Sequence, residues 1–211
     1  MASRAMPRSR RRAFRKKSPV RRIAIIAVAA ALLIALSVYY VAQYRRRLVY
    51  AQYPLSYKDM IVRMADEYGL DPWHVAAVIR CESSFNAGAT SSVGARGLMQ
   101  IMPETGQWIA GKFGEAKEFD PETLYDPETN IKYGCWFLSW LMNRYDRDLV
   151  LATSAYHAGH GSVDKWLSDS QISPDGQHIE PENIPYASTA AYVQRILKAC
   201  EKYEELYDYE T

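Results

Sequence analysis

One acid, Glu82, falls at the end of a stripe that otherwise holds apolar side chains. In "DPWHVAAVIRCESSF", residues 71–85, Val75, Ile79 and Glu82 are spaced four and three apart, and Val78 lies four before Glu82. Those intervals place all four on one helix face. A carboxyl group among apolar neighbours loses the solvation of its charged form, so its pKa rises. A glutamate tuned to about 6–7 holds a proton at neutral pH and releases it on demand, as a general acid must. The competing reading is a helix-end glutamate paired with Arg80 or with a backbone amide. Spacing alone leaves both open.

The elements that must position this acid are helices. Asp71 fits the N-cap and Pro72 the first position of the helix that carries Glu82. "FNAGATSSVGARG" follows as a loop, by its Gly, Ser and Asn content. Upstream, "SYKDMIVRMADEYG" offers Ser56 as N-cap, Asp59 three residues on, and Gly69 as a stop. Pro103 opens another helix. The tetrapeptide DPET occurs twice, and its second copy opens the long helix "PETNIKYGCWFLSWLMNRY". "LVLATSAYHAG" and "SVDKWL" are shorter helices, and "YASTAAYVQRILKACEKYEELY" is the last, with Ser188 as its cap. Convincing alternating strands are missing. The expectation is an all-α domain from Leu55 onward, large enough to bury a core and leave a cleft.

Charge divides the chain. Ten Lys and Arg precede Ile23, and no acid precedes Asp59. Three arginines follow at Arg45, Arg46 and Arg47, and beyond them 13 basic residues face all 24 acids, a net charge of about −11. A body this acidic is a poor nucleic-acid binder, which needs cations to neutralise phosphates. Between the two clusters, "IAIIAVAAALLIALSVYYVA", 23–42, is free of charge. Twenty helical residues span about 30 Å, a bilayer core. Tyr39, Tyr40 and Tyr44 sit where an interfacial aromatic belt would lie. The run is longer than a signal-peptide core, and "SVYYVAQYRRR" is a poor cleavage site. The expected organisation is a basic cytoplasmic arm at 1–22, a transmembrane anchor at 23–42, a linker at 43–54 and the helical domain at 55–211. The positive-inside bias puts the N-terminus in the cytoplasm and the domain outside a cell membrane crossed once. The arm either sets topology or also holds anionic headgroups.

Residues 82–105, "ESSFNAGATSSVGARGLMQIMPET", resemble the catalytic segment of the soluble-type (Slt-like) lytic transglycosylases, glycoside hydrolase family 23. "YDPETNIKYGCWFLSWL" is similar to the family's N-I-x-x-G-x-x-Y-L helix, "LATSAYHAGHGSV" to its A-Y-N-A-G-x-G-x-V segment, and "IPYASTAAYVQRI" to its closing stretch. The resemblance covers about Tyr57 to Tyr203. It implies a lysozyme-like α-helical domain, peptidoglycan glycan strands as substrate, and non-hydrolytic cleavage between N-acetylmuramic acid and N-acetylglucosamine that leaves a 1,6-anhydro end. It further implies Glu82 as catalytic acid and base. Ser91, Gln100, Met102, Tyr156, His157 and Tyr192 become substrate-binding candidates, with Tyr156 facing the carboxyl group and Tyr156 and Gln100 donating to the sugar's acetamido group. No metal and no cofactor are needed. Gly94 and Gly97 fit a loop that lets backbone approach a sugar, or plain turn chemistry.

Most glycosidases use two carboxylates, and no second acid lies near Glu82 in sequence. A single glutamate suffices where the substrate's own acetamido oxygen acts as the second group, an established exception. Three departures from the family pattern stand out, one of them His160 in place of a common proline. His157 replaces an asparagine, and a histidine can change charge between pH 5 and 8. Ser188 replaces a glutamate. These leave two alternatives: a hydrolytic muramidase of the same fold, and a non-catalytic peptidoglycan-binding module. A cell-envelope protein complex is a compatible partner. Cys81, Cys135 and Cys200 allow one disulfide with one thiol left, or three separate thiols.

Overall fold

The computed structural model describes residues 19–207. The basic residues of the arm before Pro19, with their expected role in topology, lie outside the described residues. The chain divides into two units, Met1–Val49 and Tyr50–Thr211. Helix α1 runs Pro19–Gln52, and none of its residues is buried. By length and composition it can cross a membrane. The stretch 43–52, expected as linker, is helical too. Nothing between Ala42 and Gln52 breaks a helix, and the first proline is Pro54.

The second unit is all-α, as expected. Its helices are α2 (Lys58–Glu67), α3 (Pro72–Ser83), α4 (Pro103–Lys112), α5 (Pro127–Arg144), α6 (Leu149–Ala158), α7 (His160–Leu167) and α8 (Ala187–Tyr207), with short 3-10 turns at Pro121–Tyr125 and Pro181–Asn183. Among the described residues the only extended pairing is two isolated bridges, Thr90 with Arg96 and Arg96 with Ile101. Helix α3 is the axis of the core. Trp73 through Ile79 are all buried, and α8 packs along α3 more extensively than any other pair of elements. Helix α5 closes the other side against α6 and α2.

Aspartates start three of these helices, α3, α5 and α6. Asp71 Oδ1 accepts from Trp73 N, Asp126 Oδ2 from Thr129 N and Asp148 Oδ1 from Leu151 N, each at 2.9 Å. Each such cap contributes about 1 kcal/mol. Both DPET copies act this way, since Asp120 Oδ1 likewise accepts from Glu122 N at the first 3-10 turn. Two expected caps are corrected. Helix α2 starts after Tyr57, which sits at φ 62° with no side-chain cap, so Ser56 lies too early. Helix α8 starts at Ala187, so Ser188 lies inside its first turn.

The unit begins at Tyr50, earlier than the Leu55 read from sequence. Residues 50–54 strap the end of α8. Tyr50 Oη donates to Leu206 O at 3.2 Å, Tyr207 Oη to Tyr53 O at 2.8 Å, and Tyr203 Oη to Pro54 O at 2.7 Å. The rings of Tyr50 and Tyr207, and of Tyr53 and Tyr203, meet edge to face at 5.4 and 5.7 Å. Such pairs add about 0.5–1.5 kcal/mol each beyond buried area. All three cysteines are unpaired, Cys135 buried and the others half-buried.

Candidate active site

Helix α3 ends where its acid is needed. Ser84 and Phe85 take left-handed φ values of 51° and 64°, which stops the helix one turn past the core and turns the chain into the loop. Glu82 therefore sits in the last turn, half-buried. Burial pushes its carboxyl pKa up; a hydrogen bond from Tyr192 and the charge of Arg195 pull the other way. The bond is direct: Tyr192 Oη donates to Glu82 Oε1 at 2.7 Å. No second carboxylate is among the groups that shift Glu82. The pairing of Glu82 with Arg80, open from spacing, is not made: Arg80 Nε donates to Gln52 O at 2.8 Å, and its guanidinium lies 4.2 Å from the Tyr53 ring centre.

The loop after α3 is held from behind by Asn130, fully buried in the first turn of α5. Its Oδ1 accepts from Met99 N at 2.7 Å, and its Nδ2 donates to Leu124 O at 2.7 Å and Arg96 O at 3.0 Å. Ser83 Oγ ties the same loop to α3 by donating to Leu98 O at 2.8 Å. A Cβ on Gly97 would come within 2.1 Å of Leu124 O and 2.3 Å of Asn130 Nδ2. The missing side chain of Gly97 thus admits the protein's own backbone, not a sugar. Gly94, at φ 92° with open space around it, is turn chemistry.

Several assigned roles change. Gln100, at φ 49°, spends its amide N–H groups on Gly97 O at 2.9 Å and Ala89 O at 3.2 Å. Its donors brace the loop. Ser91 Oγ accepts from Ala95 N at 3.0 Å, closing a tight turn. Met102 is half-buried and precedes α4. Tyr156 Oη donates to Met99 O at 2.8 Å. The charge of Glu82 helps raise the Tyr156 pKa, behind burial, so the ring lies within the field of the carboxyl group, but the bonded tyrosine is Tyr192. His157 stacks on Tyr192, ring centres 4.6 Å apart, and its Nδ1 is 3.0 Å from Thr189 Oγ1. Burial, then Arg195, lowers the His157 pKa.

Tyr156 also lines an aromatic cavity of about 580 Å³ with Trp108, Phe137, Trp140, Glu104 and His160. Trp108 and Trp140 meet edge to face at 5.4 Å. Flat apolar faces beside scattered polar groups suit a sugar ring. Among the described residues no group of three or more His, Cys, Asp or Glu converges as metal ligands would. Asn130 and Ser83 were missed by sequence reasoning. The signal for Asn130 was an amide between a capping DPET and an apolar run, where a helix face should be greasy.

The site is thus one raised carboxyl group at the end of the central helix of an all-α domain, hydrogen-bonded by a buried tyrosine. Residues 59–179 match the family "Transglycosylase SLT domain", and the chain belongs to that family. The soluble lytic murein transglycosylase of Escherichia coli is 34% identical over 158 residues, 75% of this chain and 24% of that protein. Membrane-bound lytic murein transglycosylase C of Actinobacillus pleuropneumoniae is 32% identical over 166 residues, 70% of this chain and 46% of that protein. An inactive glutamate-to-glutamine variant of lytic transglycosylase Slt from Pseudomonas aeruginosa superposes with a TM-score of 0.65 at 34% identity, over 74% of this chain and 25% of that chain. The fold is the lysozyme-like one of these enzymes. The chain spans about a quarter of the length of the soluble relatives it matches.

Proposed function

We propose that the chain is a membrane-anchored lytic transglycosylase that cleaves peptidoglycan glycan strands and leaves 1,6-anhydro-muramyl ends. The observation that carries this reading is the half-buried Glu82, pushed toward its protonated form and bonded by Tyr192. Glu82 first gives its proton to the oxygen that links muramic acid to the next sugar. The C1–O bond breaks, its electrons go to that oxygen, and the muramic acetamido oxygen bonds to C1. Glu82, now charged and stabilised by the Tyr192 hydroxyl, takes the proton of the 6-hydroxyl. That oxygen displaces the acetamido oxygen at C1 and closes the anhydro ring, with Glu82 protonated again. No water is consumed. The inactivity of the glutamate-to-glutamine relative supports a glutamate in this role.

Residues 23–42 serve as the anchor, the residues before them lie in the cytoplasm, and the domain from about Tyr50 faces the cell wall. The basic flank before the span supports this orientation, and the membrane-bound relative supports the location.

The test is mass analysis of purified peptidoglycan digested by the detergent-solubilised full chain. Products one water lighter than reducing sugars are expected, and none from Glu82→Gln. Reducing ends would make the enzyme a muramidase. Capture of peptidoglycan without release of fragments would make it a binding module.

A further inference from the structure

One carboxylate lines the aromatic cavity of about 580 Å³: that of Glu104, in the first turn of α4. Among the described residues it makes no hydrogen bond and no ion pair; the ion pairs use Glu115, Glu122, Glu128, Asp164, Asp175 and Glu205 instead. No Lys or Arg lines the cavity. Around the carboxylate stand the rings of Trp108, Phe137, Trp140 and Tyr156. Phe137 and Trp140 lie parallel to within 11°, centres 6.1 Å apart, and Trp108 meets them edge to face at 6.1 and 5.4 Å. Both indoles already draw cations of the protein: Lys112 Nζ lies 5.4 Å from the Trp108 ring centre, and Arg144 Cζ 5.7 Å from that of Trp140. His160 is the other titratable group on the wall, its ring edge-on to Trp140 at 5.4 Å. A negative charge is favoured in the first turn of a helix, which accounts for an acid at position 104 but not for the rings around it.

We infer that this cavity takes a glycan sugar whose amine is free, so that Glu104 and the two indoles select de-N-acetylated strands over fully acetylated ones. The inference rests on the peptidoglycan reading above and names the strand that reading favours. A hexosamine that has lost its acetyl group carries an ammonium at C2. The π face of an indole attracts such a cation. An unpaired carboxylate gains from it several N–H donors and an opposite charge. An acetamido group offers the same carboxylate one neutral donor and leaves its charge uncompensated beside apolar walls. Sugar stacking explains the rings; it does not explain the lone acid among them. The net charge of about −11 on the body also draws a cationic strand toward the cleft. The muramic residue being cut keeps its acetamido group, which the chemistry at Glu82 uses, so the selection falls on a glucosamine elsewhere in the strand.

The experiment compares kcat/KM of the full chain on fully acetylated peptidoglycan with that on the same batch treated with a glucosamine-specific deacetylase. Wild type should prefer the deacetylated glycan about tenfold, and Glu104→Gln should bring the ratio near one. Glu201, an exposed acid of α8 that does not line the cavity, is the control, and Glu201→Gln should leave the ratio unchanged. A wild-type ratio of one or below overturns the inference, as does a Glu104→Gln ratio that stays high. An equal drop in both variants would mean attraction by bulk charge and overturns it too. Calorimetry with the Glu82→Gln chain tests the site apart from cleavage, using a glucosamine tetramer and an N-acetylglucosamine tetramer. Tighter binding of the free-amine tetramer, lost when Glu104→Gln is added, supports the site even if wild type cuts nothing. Equal binding of the two tetramers, preference for the acetylated one, or no binding of either sinks it.

Discussion

The hydroxyl of Tyr192 reaches Glu82 Oε1 at 2.7 Å and so bridges α8 to the last turn of α3. The two residues are 110 positions apart, and neither helix forms the site alone. Burial drives Glu82 toward its neutral form, while Tyr192 supports the charged form. A group that must both give and take a proton benefits from such opposed influences.

The raised pKa of Glu82 has a consequence for stability. An acid whose folded-state pKa exceeds its unfolded value favours folding below the unfolded pKa, and that contribution is lost as pH rises through the folded pKa. Glu82→Gln should therefore melt higher than wild type at pH 7, by about 2–4 °C for each kcal/mol gained. The gap should close as pH falls below the ordinary carboxylate value of 4.5. Calorimetric scans across that range check it; a variant that melts lower at pH 7 contradicts it.

Tyr192→Phe removes the donor that favours the carboxylate. Glu82 then keeps its proton to higher pH, so the alkaline limb of the kcat/KM profile should move up while the maximal rate falls about tenfold or more. A lower rate with an unmoved limb would mean that Tyr192 only packs.

His157 stacks on Tyr192, with Arg195 as its charged neighbour. Its pKa lies below the ordinary 6.5, so it gains charge only on the acid side of that value. A cation there lies against the ring of Tyr192, whose hydroxyl bonds Glu82, and so acts on the carboxyl group through that donor. The pH–rate profiles of wild type and His157→Asn should diverge below about pH 6.5 and coincide above it. Curves that superimpose throughout would show that the histidine tunes nothing.

Asn130→Ala should leave Met99 N–H and Leu124 O without partners in the interior, while Arg96 O keeps the N–H of Ile101 at 3.0 Å. The cost is about 3 kcal/mol, because each orphaned buried group costs about 1–3 kcal/mol. Urea unfolding measures the loss. Activity should fall even under conditions where the variant remains folded, since the loop behind Glu82 loosens.

Local signals were legible from sequence wherever the cause was local. Asp71, Asp120 and Asp126 bond amides two or three residues on, and their Asp-Pro pairs announced it. The stripe to Glu82 placed the acid correctly at the end of a buried helix. What failed depended on distant contacts. Nothing near Tyr192 in sequence names Glu82 as its partner. Nothing near Gln100 in sequence shows that the curl of its loop brings Gly97 O and Ala89 O onto its amide. The capping role of Ser56 was lost because Tyr57 adopts a left-handed turn that puts the helix start one residue late.

The strap of tyrosines at 50–54 bears on how the enzyme is prepared. A recombinant form cut at Leu55 would strip the covering from Tyr203 and Tyr207 and leave sticky rings at the surface, inviting aggregation. One that starts at Tyr50 keeps that patch sheathed while shedding the greasy leader.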